Sequence, residues 1–265
     1  MLDNNIFQFD MGGLNYYLEK NARIITEDWL HAAIPLMMTK SRVYAKRKTK
    51  HLFDQAARFG YVRIFTDHAT GAFKNLWNSQ TLLAAVGGGH LDLLKWLRSK
   101  KPNCPWLKGT CQHAASNGHW DVLKWLRSQN PPCHWGPGIC EQTASKGRLD
   151  MLEWLRSQDP PCPWNGWTCR AAAQEGHMDV LKWLRSQDPP CPWNAKTCEW
   201  AASYGHLDVL KWLRSQDPPC PWVERTCAEA AMKGHLDVLK WLIDNGCPYD
   251  VNGVGKSSYE ELGLA

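Results

Sequence analysis

The segment AASYGHLDVLKWLRSQDPPCPW, residues 201–222, decides the fold. After Gly205, Val209, Leu210, Trp212 and Leu213 fall on one side of a helix with about 3.6 residues per turn, and Asp208, Lys211 and Arg214 fall on the other. His206 lies inside the apolar arc. This pattern predicts an amphipathic helix, ended by Asp217-Pro218-Pro219, because proline offers no N–H and disfavours a helical residue before it. Outward from this segment, the neighbouring stretch WTCRAAAQEG (167–176) sets Cys169, Ala172 and Ala173 at i, i+3 and i+4. That spacing predicts a shorter helix with Thr168 near its start and Gly176 as its stop.

The same wording returns on a ruler. Gly89, Gly118, Gly147, Gly176, Gly205 and Gly234 stand 29 residues apart, each opening a variant of GHLDVLKWLRS. One step earlier, Gly60 follows Ala56 and Ala57, and Trp77 lies 29 residues before Trp106, which marks a degenerate first copy beginning near residue 51. Each unit reads helix, tight turn, helix, extended Pro-rich connector. So short a unit cannot bury its apolar arc alone, whereas a row of them buries a continuous core between neighbours. The expected fold is all-α, a solenoid of stacked helix-turn-helix repeats. The expected divisions are an N-terminal segment 1–50, a degenerate repeat 51–79, six repeats over 80–249 and a capping half-repeat 250–265.

Composition agrees. A chain of 265 residues that is 44% hydrophobic can bury a sizeable core. It has neither an apolar run of about 18 residues nor a basic-then-apolar leader, so the expectation is an intracellular protein with no membrane span, cytoplasmic or nuclear. Eleven cysteines without a leader read as reduced thiols. A net charge of +5 is too small to indicate nucleic acid as a partner. The one uncancelled basic run is Lys40, Arg42, Lys46, Arg47, Lys48 and Lys50. It reads as a solvated helix or linker, with Lys46-Arg47-Lys48 as the alternative, a nuclear signal.

The core AASYGHLDVLKWL (201–213) resembles the A-A-x-x-G-H-L-E-V-V-x-L-L core of ankyrin repeats, and DNGCPYD (244–250) resembles the ankyrin turn. The resemblance covers roughly residues 51–265. Short, Trp-rich arrays of this style are similar to those of large repeat families in protists, algae and giant DNA viruses. Two features depart from the ankyrin pattern: T-P-L-H-x-A is replaced by x-T-C-x-x-A, and the period is 29 rather than about 33 residues. So short a link between Trp193 and Thr197 implies an ankyrin-like α-solenoid whose β-hairpin fingers are shortened or absent. The resemblance also implies a non-catalytic, protein-binding scaffold, with no enzyme activity, no cofactor, no metal and no small-molecule substrate, acting as a monomer. The opening words NIFQFD and LNYYL resemble the F-box, though Leu14 to Trp29 is longer than that pattern. This gives the alternative function, a substrate-recognition adaptor delivering a target to a ubiquitin ligase. Otherwise Leu14, Tyr17, Leu18, Trp29, Leu30 and Ala33 read as two capping helices, and KSSYEELGL (256–264) as the cap at the other end.

Residues present in every copy are read as structural. The cysteines (Cys104, Cys133, Cys162, Cys191, Cys220 and Cys111, Cys140, Cys169, Cys198, Cys227) lack the C-x-x-C spacing of zinc modules and read as core. The recurring histidines, His90, His119, His177, His206 and His235, read as hydrogen-bonding links between units, since catalysis needs such a group once. Both tryptophan series, typified by Trp193 and Trp212, read as core. The Lys/Arg ladder read against Asp92 through Asp237 is a solvated outer face. Specificity is expected where copies differ: the pair after Ala-Ala, the bridge after C-P-W, and the aromatics off the ruler. The candidate partner-binding residues are Asn117, Lys146, Trp167, Gln174, Glu175, Lys196, Trp200, Tyr204, Arg225 and Lys233. By the family resemblance these classes line a concave groove.

Overall fold

The computed structural model describes residues 26–28, 30, 42–67, 77–101, 104–250 and 254. These residues form helices and connectors, with no strand among them. They belong to two compact units, residues 1–134 and 135–265. The first holds α1 (Arg42–Phe59), α2 (Val62–Asp67), α3 (Ser79–Gly88), α4 (Leu91–Lys100), α5 (Thr110–Ser116) and α6 (Trp120–Arg127). The second holds α7 (Gly138–Ser145), α8 (Leu149–Arg156), α9 (Gly166–Gln174), α10 (Met178–Ser186), α11 (Ala195–Ser203), α12 (Leu207–Arg214), α13 (Glu224–Met232) and α14 (Leu236–Asp244). The residues proposed above for the N-terminal helices (apart from Leu30, which is buried), for the F-box likeness and for the C-terminal cap lie outside those described. Helix α1 runs unbroken across residue 50, so the basic run from Arg42 and the degenerate repeat share one helix.

Within each unit the first helices of successive repeats pack on one another, α1 on α3 and α3 on α5, then α7 on α9, α9 on α11 and α11 on α13, and each packs on its own second helix. Cys169, Ala172 and Ala173 of α9 and Val209, Leu210 and Leu213 of α12 are buried, as the helical spacing requires. Leu52, Phe53, Ile64 and Phe65 build the core of the degenerate copy, where Phe53 and Phe65 meet edge to face at 5.4 Å. First helices start on shared chemistry. Asn194 accepts from the Lys196 N–H at 3.0 Å, and the Thr197 hydroxyl accepts from the Asn194 N–H at 3.5 Å. Asn78 with Thr81 repeats this capping, which satisfies N–H groups that a helix start leaves free.

The recurring histidines link neighbours. Nε2 of His90, His119, His177, His206 and His235 lies 2.9 to 3.1 Å from a carbonyl 32 residues earlier, that of Arg58, Gly87, Ser145, Gln174 and Ser203 respectively. A carbonyl can only accept, so Nε2 carries the proton. The same rings explain the recurring glycines Gly60, Gly89, Gly147, Gly176 and Gly205. Gly176 sits at φ +75°, and a Cβ there would stand 2.7 Å from Cε1 of His206. Glycine is therefore required twice at this place, for the left-handed turn and for the approach of the next repeat's ring.

The connectors correct two expectations. Most tryptophans of both series are half-buried rather than core, with Trp77 and Trp135 the buried exceptions among the described residues. Each C-P-W tryptophan instead meets the second-helix tryptophan of the following repeat edge to face, as Trp193 and Trp212 do at 6.2 Å and 75°. The arginines of the expected solvated ladder are spent on structure. Arg185 donates from Nη1 to the Cys191 carbonyl at 2.8 Å while its guanidinium lies 3.9 Å over Trp193. Arg156 and Arg214 do the same with Cys162 and Trp164, and with Cys220 and Trp222. The lysines Lys182 and Lys211 remain exposed. Helical phase cannot separate the two, because the partner that draws arginine inward is brought back only by the folded connector.

The eleven thiols are free, and ten are buried; Cys104 is half-exposed. They act as weak donors across repeats: Cys198 Sγ lies 3.8 Å from the Cys220 carbonyl, and Cys220 Sγ 3.6 Å from the Asn194 carbonyl. Its hydrogen bond with the Cys220 thiol, together with burial, pushes the Cys198 thiol far above the usual range, and the same pairing with Cys191 does so for Cys169. With a thiol reagent the native chain should therefore label rapidly at about one cysteine, Cys104, and at all eleven in denaturant. Raising the pH from about 7 to 9 should not expose the others, because their burial in the folded chain keeps the reagent away. Rapid labelling of several thiols in the native chain would contradict this packing.

Candidate partner-binding face

The exposed side of the first helices of the second unit carries the residues that do not repeat. On α9, Asn165 caps the start by accepting from the Trp167 N–H at 3.0 Å, which turns the Trp167 ring outward, 52% exposed. One turn on, Arg170 lies with its guanidinium 4.1 Å from the Trp167 ring and 4.9 Å from the Trp200 ring of α11. Trp200 in turn stacks on Tyr204, centroids 5.8 Å apart and planes at 29°, and Tyr204 is 45% exposed. The result is a strip ordered Trp167, Arg170, Trp200, Tyr204. Arg170 is anchored from the other side by Glu141 of α7, Nη2 to Oε1 at 3.3 Å, while its buried Nε has no hydrogen-bond partner.

Beside the strip lies a charged lattice. Glu199 of α11 is only 5% exposed, and its Oε2 receives Lys196 Nζ at 2.6 Å and faces Arg225 Nε at 3.7 Å. Arg225 also reaches Glu229 Oε1 at 3.1 Å, and Ser203 Oγ donates to Glu229 Oε2 at 3.2 Å. A nearly buried carboxylate is tolerated only when it is paired and hydrogen-bonded in this way. Strip and lattice enclose one open pocket of about 420 Å³, lined by Trp167, Arg170, Lys196, Glu199, Trp200, Ser203, Tyr204, Arg225, Glu229 and Lys233.

Of the ten candidates, six (Trp167, Lys196, Trp200, Tyr204, Arg225 and Lys233) thus meet in one place. Gln174 donates to its neighbour Glu175 at 2.9 Å, and Lys146 is exposed just past α7; none of these three lines that pocket. Asn117 belongs to the first unit, where it lines a separate polar pocket of about 450 Å³ with His51, Asp54, Gln55, Arg58, Gln80 and His113. There burial raises the Asp54 carboxyl above the usual range against the hydrogen bond it accepts from Thr81 at 2.6 Å.

Arg170, Glu199 and Glu229 were not anticipated. A signal for them exists: the two residues between Cys and Ala-Ala change from copy to copy, Gln112-His113, Glu141-Gln142, Arg170-Ala171, Glu199-Trp200 and Ala228-Glu229. Among the described residues no helix is long and apolar enough to cross a membrane. No protein-family model matches the chain, and no curated protein matches it.

Proposed function

We propose that this chain is a non-catalytic, ankyrin-like solenoid with reduced fingers whose task is to bind a partner protein through the variable side of its first helices. One observation carries the reading: the recurring histidines and arginines are spent on bonds within the stack, and six of the ten variable candidates meet around Trp167 and Tyr204. A rigid face of this kind binds with little ordering cost, and exposed aromatics flanked by arginine are the residue types that dominate protein interfaces.

The test is proximity labelling in the cells the protein comes from, comparing the full chain with Trp167→Ala/Tyr204→Ala and with Lys182→Glu/Lys211→Glu on the second helices. Both rings are substantially exposed, so their loss should leave helicity and melting temperature nearly unchanged. The aromatic double variant should lose the enriched proteins, with affinity for any purified partner falling about tenfold or more. The lysine variant should keep them. Loss of partners with the lysine variant alone would sink the reading.

A further inference from the structure

We infer that the Trp167–Tyr204 strip takes an acidic peptide segment that carries an aromatic or aliphatic side chain next to its carboxylates. This rests on the scaffold reading above and adds the partner's chemistry.

The inference follows from which charges the site has already used. Glu199 and Glu229 are satisfied from within, by Lys196, Arg225 and Ser203. They form the floor. The groups a ligand meets first are cationic: the Arg225 side chain is 64% exposed, that of Lys196 49%, and Lys233 stands exposed at the edge of the same pocket. The rings point the same way. An aromatic site attracts a cation through open ring faces. Here Arg170 already lies between Trp167 and Trp200, and Tyr204 stacks on Trp200. What is left open is apolar area on Trp167 and Tyr204, which suits a side chain that gains from burial. A carboxylate placed on Lys233 and Arg225 then finds charge-assisted donors while its neighbour covers the rings.

The dimensions set the segment's length. The pocket draws on three successive first helices, α9, α11 and α13, and helices pack about 10 Å apart, so it spans roughly 20 Å. An extended chain covers that in about six residues at about 3.3 Å each. A single-stranded nucleic acid would also use stacking rings and cations. It is disfavoured because Glu199, Glu229 and Glu141 offset much of the site's positive charge, leaving an excess that suits one or two carboxylates but not a row of phosphates.

The test is to pan the full chain against a random twelve-residue peptide phage library, and to measure a synthetic fluorescent copy of an enriched peptide by anisotropy at about 0.15 M salt. The expected enrichment is Asp or Glu beside Trp, Phe, Tyr, Leu or Ile. Lys233→Glu should weaken the peptide about fivefold and Lys233→Gln less, Trp167→Ala about tenfold, and Lys211→Glu not at all. Enriched peptides that are basic or neutral, yet still lost with Trp167→Ala, would overturn the acidic assignment and leave the scaffold face standing. Peptides indifferent to both Trp167→Ala and Tyr204→Ala would sink the face itself, and with it this inference. A fifteen-residue oligo-dT that binds more tightly than the peptide would replace the acidic segment with nucleic acid. Failure to enrich any peptide would also overturn the inference.

Discussion

Replacing Gly176 by alanine should destabilise the second unit by about 3 kcal/mol in the otherwise native chain, but by only about 1 kcal/mol when made in a His206→Ala background. Two penalties meet at Gly176. Its φ of +75° costs an L-residue roughly 1 kcal/mol. The added Cβ would stand 2.7 Å from Cε1 and 2.8 Å from Nδ1 of His206, whose ring must swing away and abandon the Gln174 carbonyl. A carbonyl left unpaired costs about 1–3 kcal/mol. Gly234 separates the terms, because it has φ +74° but nothing within 4 Å of its missing Cβ, so Gly234→Ala should cost only the backbone share, about 1 kcal/mol. Urea unfolding of the full chain, read as a double-mutant cycle over Gly176 and His206, gives the coupling. Additive losses would mean that ring and turn do not meet.

The basic ladder should divide in two. Arg185→Ala is expected to cost about 2 kcal/mol, since it removes the donor to the Cys191 carbonyl and uncovers the face of Trp193. Lys182→Ala, three residues earlier and exposed, should change stability by less than about 0.5 kcal/mol. Arg185→Lys should retain only part of the stability, because an ammonium can reach the carbonyl but cannot lie flat on the indole while doing so. Equal stability of Arg185→Ala and Lys182→Ala would return the arginines to the solvated face.

Much of this architecture was legible in the sequence, and the reason is periodicity. The helix faces follow from the spacing of Val209, Leu210 and Leu213, and the linking role of the histidines follows from their recurrence inside the apolar arc. Arg148 takes the histidine's place in one copy, where it pairs with Asp150 at 3.5 Å. The misread residues are those whose fate depends on the connector. Trp212 sits at the edge of the apolar arc, where helical phase does not decide between core and rim. Arg185 is drawn inward by a carbonyl that its own sequence neighbourhood does not reveal. In the candidate site, the off-ruler aromatics Trp167, Trp200 and Tyr204 stood out, while Arg170 and Glu199 did not. A charged residue on a helix is by default solvated, and only the stacking of α9 and α11 places Arg170 between two indoles and covers Glu199.

The claim at the centre is that repeated residues hold the stack and unrepeated ones meet the partner. It is tested most directly by a saturation library over residues 135–250 in the full chain, displayed on yeast and sorted separately for protease resistance and for capture of the proteins enriched by proximity labelling. Two separate sets of positions are expected. Gly176, Arg185, His206 and Leu210 should fail the protease sort, whereas Trp167, Tyr204 and Lys233 should pass it and fail only capture. Capture losses confined to the exposed lysines of α10 and α12, or falling only where folding is also lost, would contradict the claim.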